Sequence, residues 1–310
     1  MFIFVFGILG NILNIIILSQ RSFRSNPCVI IFLGSSAAGI ITILSGLTSR
    51  VLSGITADLS GTINWICKFR GFILFTFRCA TFWLIMLATG DRWLLSSIDA
   101  RRRQMSSIKN SLRGIFLVVI VSVIVHSQLF YCYEANLIGT PLKCFTRNIP
   151  CRLMNDLTFA VVAIVSPLIL ILIFGLMTIS NMRKTRNRIV PKLNTTSINS
   201  TQTSVNARRD RLKKIDQKLF LMLFVQVILL AIFTLPLAIQ KLYATLTMDI
   251  SKSSLEITIE DFIYQIALIC TYFAAGMPFY VNTLSGGTVF NKAIWTFQSF
   301  LIQKLRCRTN

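Results

Sequence analysis

The stretch from Cys67 to Trp93, CKFRGFILFTFRCATFWLIMLATGDRW, decides the fold. It is too apolar for a solvated helix, yet it carries Arg78 in its middle and ends on Gly90-Asp91-Arg92-Trp93. As an α-helix, the 25 residues from Cys67 to Arg92 reach roughly 38 Å, more than a hydrocarbon core of about 30 Å. Cys67 therefore sits at one face of a bilayer and the Asp91-Arg92 pair at the other.

Composition widens that reading to the whole chain. Of 310 residues, 54% are hydrophobic and only 14% charged, with a mean hydropathy of +0.68; soluble domains average about 25% charged. Seven apolar runs, at about 1–19, 28–53, 68–93, 112–133, 157–180, 219–243 and 261–285, approach or exceed the roughly 20 residues a spanning helix needs. Membrane barrels would need alternating strands of about ten residues. The expected fold is an all-α integral membrane protein, a seven-transmembrane-helix bundle over 1–286, followed over 287–310 by a cytoplasmic amphipathic helix and tail. The first run opens on Met1 with no outer tail and no basic segment of a cleavable leader, which suggests a short or late-starting N-terminus.

Charge sets the orientation. The net charge is +21, and 23 of the 32 basic residues fall on one side, in the loops after runs one, three and five and in the tail. The positive-inside rule puts that side, with the C-terminus, in the cytoplasm and the N-terminus outside. In a soluble chain such a charge would point to nucleic acid; here it suits an anionic inner leaflet. The loop 181–218 joins two basic stretches through the polar segment NTTSINSTQTS that starts at Asn194. Asn194 and Asn199 match the glycosylation pattern and, on this topology, never carry sugar. The segment Phe290 to Lys304 alternates apolar and basic residues like an interfacial helix, and Cys307 beyond it is a lipidation candidate.

The order of motifs resembles the rhodopsin-like (class A) G-protein-coupled receptors over nearly the whole chain. Gly10-Asn11, Cys67, Asp91-Arg92-Trp93, Pro167, Phe233-Thr234-Leu235-Pro236 and Pro278 stand where that family has its signatures. The exit Ile179-Ser180-Asn181-Met182-Arg183 and the Phe-Thr-Leu-Pro kink look like the invertebrate peptide-receptor branch, near FMRFamide-type receptors. The resemblance implies a signalling neuropeptide receptor of the plasma membrane that couples to a heterotrimeric G protein.

It also implies roles. Arg92 would be clasped by Asp91 and by Asp216, whose release lets the sixth helix swing out; Phe233, Pro236 and Pro278 would transmit the movement. Cys67 would bridge to the outer loop, with Cys144 the expected partner and Cys151 the alternative. Arg78 would point into the ligand cavity, to bind an anionic group of the ligand or to pair with Glu260 or Asp261. Phe82, Gln240, Tyr243, Tyr264 and Gln265 would be its neighbours, and Glu256, Glu260 and Asp261 would make an acidic rim.

Departures from the family carry their own expectations. Gly39 replaces the second-helix aspartate that binds sodium, so no metal site is expected. Met277 and Val281 stand in for the Asn and Tyr of the seventh-helix motif, Gly175 for the fifth-helix tyrosine, and Leu235 or Phe233 for the sixth-helix tryptophan. No cofactor and no enzyme activity are expected: the lone His126 reads as a packed core residue, and no carboxylate pair or phosphate loop appears. A non-signalling or truncated receptor copy is the alternative; a small-solute transporter would need internal repeats, and none is visible.

Overall fold

The computed structural model describes residues 1–20, 25–53, 59–138, 140, 142–189, 224–247, 250 and 252–285. The spans are α1 (Phe2–Leu18), α2 (Pro27–Ser53) and α3 (Asn64–Ser96). After the short helix α4 (Ala100–Met105) come α5 (Ile108–His126) and its continuation α6 (Leu129–Cys132). The fifth span is α7 (Ile149–Leu157), a π-helical segment Thr158–Val165, and α8 (Ser166–Ile189). The sixth is α9 (Phe224–Leu246), and the seventh is α10 (Ser254–Gly276) with α11 (Pro278–Ser285). Six of these are long and apolar enough to cross a membrane, and α1 is a shorter apolar helix of the same bundle. The chain is a multi-pass, seven-helix membrane bundle. Asp216, Cys307, the interfacial segment 290–304 and the glycosylation motifs at Asn194 and Asn199 lie outside the described residues.

Several spans run past their apolar cores. The fifth begins at Ile149 because Asn148 accepts a hydrogen bond from the Cys151 amide and Pro150 occupies the first turn. The seventh begins at Ser254, with Ser253 and Glu256 forming a reciprocal capping box. Proline acts differently in each helix. Pro167 follows the π-helical segment, where the ladder is already shifted by one residue. Pro278 ends α10, whereas Pro236 lies inside an unbroken α9.

Packing depends on small residues where helices cross. A Cβ on Gly276 would stand 2.6 Å from the Cα of Gly7, so α1 and α10 meet backbone to backbone. Asn11, fully buried, locks the same crossing by donating to the carbonyls of Gly7 (2.9 Å) and Ala275 (3.0 Å). α3 runs through the centre and buries Leu84, Ile85 and Ala88. Side chains such as Phe116, Ile124, Leu172, Leu176 and Ile239 point outward and suit lipid.

Two disulfides pin a lid at the Cys67 end of the bundle. Cys67 bridges to Cys144 and Cys132 to Cys151. Between them a two-stranded antiparallel ribbon, β1 (Tyr133–Glu134) and β2 (Phe145–Thr146), pairs Tyr133 with Thr146 and Glu134 with Phe145. Asn136 turns the chain at φ 59°, a left-handed conformation that asparagine tolerates. Its amide donates to the Gly61 carbonyl at 3.0 Å.

Candidate functional site

The site begins with Arg78, which α3 carries into the bundle interior about 21 Å above Arg92. Its residue is 5% exposed, its Nη2 has no hydrogen-bond partner among the described residues, and its Cζ lies 4.8 Å from the centre of the Tyr272 ring. A cation at mid-helix costs about 2.5–3.5 kcal/mol on insertion scales, so its surroundings matter. The cavity beside it is lined by Thr42, Thr81, Phe82, Phe159, Leu230, Thr234, Thr271 and Ala275. The four threonines come from α2, α3, α9 and α10, and each donates its hydroxyl proton back to a carbonyl of its own helix. Gly46 holds Tyr272 in place from α2, since a Cβ there would overlap the ring.

This cavity differs from the expected one. Of the neighbours foreseen in the sequence it contains Phe82, not Gln240, Tyr243, Tyr264 or Gln265. Gln265 accepts from Arg50 at 2.7 Å, and Tyr264 is buried in the core. Gln240 donates to the Glu260 carbonyl at 3.2 Å. Glu260 does not pair with Arg78; Lys252 holds both its oxygens, at 2.6 and 2.8 Å, and lies over Tyr243. Lys252, two residues before α10, takes the carboxylate. Glu256 caps α10. On α9 the cavity-facing side chains are Leu230 and Thr234; Phe233 instead packs edge-on against Phe273 at 5.4 Å.

Above the cavity lies a second buried charge cluster that the sequence reading missed. Lys241 points inward from α9 and is 5% exposed. It donates to Asp156 of α7, which is 2% exposed and also accepts from Thr245 at 2.8 Å and Asn155 at 3.2 Å. The Phe75, Phe145 and Phe159 rings surround the ammonium at 5.7–5.9 Å. Intramembrane charge is therefore not limited to Arg78. A lysine and an aspartate 85 residues apart give no local signal.

At the opposite end of α3 from Cys67, Arg92 is 2% exposed and its Nη2 donates to Asn26 at 2.6 Å. Asp91, also buried, accepts from Ser106 at 2.6 Å. Trp93 packs on Phe174 and beneath Arg102. Asn26 and Ser106 are loop residues whose roles have no signature beyond proximity to a helix end. Gly39 lies against Asn11, where an added Cβ would be 3.1 Å from the amide oxygen. His126 is buried on α5, its Nδ1 2.9 Å from the Ser122 carbonyl.

No family model matches the chain, and no curated protein does. Among solved structures it is similar to the crystal structure of squid rhodopsin, with a TM-score of 0.73 and 18% identity over 97% of this chain and 83% of that one. At that identity the likeness is one of fold: the chain has the seven-helix architecture of rhodopsin.

Proposed function

We propose that the protein is a plasma-membrane receptor that binds an extracellular peptide and activates a heterotrimeric G protein by opening the inner face between α3 and α9. The observation that carries this reading is that one continuous helix, α3, joins an interior cavity holding the buried cation Arg78 to an inner end where Arg92 is clasped. A ligand that alters the outer half has a rigid lever to the inner half. The proline-interrupted seventh span and Pro236 of α9 supply places where the bundle bends. The disulfide-pinned ribbon roofs the bundle mouth, and the start of α10, where Glu256, Glu260 and Asp261 outnumber Lys252, keeps a net negative charge that favours a peptide bearing arginine. An anionic group of the same peptide would pair with Arg78. Asp216 would add to the Arg92 clasp in the silent state.

On this reading the N-terminus is outside and the inner basic loops meet an anionic leaflet and an acidic partner. A switch from mostly silent to mostly active needs several kcal/mol of differential affinity. The decisive experiment is a peptide-library screen on expressing cells with a calcium or cyclic-nucleotide readout and Arg92→Ala as control. A peptide response abolished by the substitution is expected; one that survives it unchanged defeats the mechanism. Sugar on Asn194 or Asn199 would reverse the topology. Surface-expressed protein silent to every peptide would favour a non-signalling copy.

A further inference from the structure

We infer that the mid-bundle cavity is a binding site for a small monovalent inorganic anion of halide size, with Arg78 as its counter-charge. Among the described residues no carboxylate pairs with Arg78, and its Nη2 is buried without a hydrogen-bond partner among them. The face of Tyr272 at 4.8 Å offsets part of the charge but accepts no N–H in the plane of the guanidinium. Two carboxylates of the same half of the bundle are committed elsewhere: Glu260 to Lys252, and Asp156 to Lys241 and Thr245. A buried cation left so is costly, and an ion from the medium is the simplest compensation.

Size and lining agree. The free volume of the cavity is about 20 Å³, where roughly 10–15 Å³ holds one water, so one halide fits. Threonines from four helices meet there, and a hydroxyl rotor can turn its proton from a carbonyl of its own helix to an anion. Because Thr42, Arg78, Thr81, Thr234 and Thr271 tie α2, α3, α9 and α10 to one ion, its binding would favour the arrangement in which all four helices converge. In a receptor such an ion and the anionic group of a peptide would compete for the same guanidinium.

The test uses the full chain in lipid nanodiscs without any peptide. Thermal unfolding is followed while sodium chloride or bromide replaces sodium gluconate at constant ionic strength. The expected result is a saturable rise in midpoint of about 2–4 °C at an anion concentration about ten times the dissociation constant. Arg78→Gln abolishes it, and Lys252→Gln leaves it intact. Should Arg78→Gln fail to fold, Thr81→Val with Thr271→Val should weaken halide affinity at least several-fold, and chloride-35 linewidths on the wild-type protein should broaden and narrow again on adding bromide. Equal midpoints in halide and gluconate, or a halide effect unchanged in these variants, overturn the inference. Neither outcome touches the signalling reading, which the peptide screen decides separately.

Discussion

The Nζ of Lys241 on α9 donates to Asp156 on α7, and this bond joins the fifth and sixth spans inside a cage of Phe75, Phe145 and Phe159. Both residues are almost fully buried, and Arg152 stands 3.9 Å from the same carboxylate. Asp156→Ala should cost about 3–5 kcal/mol, because the Lys241 ammonium is left buried without its carboxylate, and Lys241→Ala should cost less, because Arg152 and Thr245 still face Asp156. Asp156→Leu with Lys241→Met should recover most of that loss. Thermal unfolding of the four proteins in one detergent measures the coupling; additive single losses would mean the pair is not a unit.

The lid connectivity is checkable by mass spectrometry of unreduced peptides, which should show Cys67 joined to Cys144 and Cys132 to Cys151. The first bridge closes a separation of 77 residues and the second one of 19. On chain-entropy grounds the losses should be about 4–5 and about 3 kcal/mol. Removal of Cys132 should therefore be the milder change. Finding Cys67 joined to Cys151 would contradict the fold of the lid.

Asn26 holds Arg92 at 2.6 Å, a charge-assisted bond worth about 1.5–3 kcal/mol. If the protein signals as proposed, Asn26→Ala should raise basal guanine-nucleotide exchange roughly tenfold, since 1.4 kcal/mol is a factor of ten. Unchanged basal exchange at equal surface expression would remove Asn26 from the clasp.

Two glycine substitutions should move stability in opposite directions. Gly276→Ala places a methyl 2.6 Å from the Gly7 backbone and should cost about 1–3 kcal/mol by forcing α1 and α10 apart. At Gly175, in the middle of α8, an added Cβ meets nothing within 4 Å. Gly175→Ala should stabilise by about 0.5–1 kcal/mol through helix propensity. Melting curves of the two variants beside the wild type decide this.

The sequence by itself determined the architecture. Long continuous apolar runs have only one stable form in a bilayer, because every backbone polar group must be satisfied within its own helix. That reasoning needs no partner from elsewhere in the chain, and it led to the helical membrane bundle. Tertiary structure decided which side chains meet. Glu260 went to Lys252 instead of Arg78, Asp156 captured Lys241, and Cys151 found Cys132. Thr234, not Phe233 or Leu235, came to face the cavity. Such pairings depend on helix rotation and crossing geometry, set by contacts like Gly7 against Gly276 and Gly46 against Tyr272, and a one-residue turn of a helix, about 100°, redirects every side chain it carries.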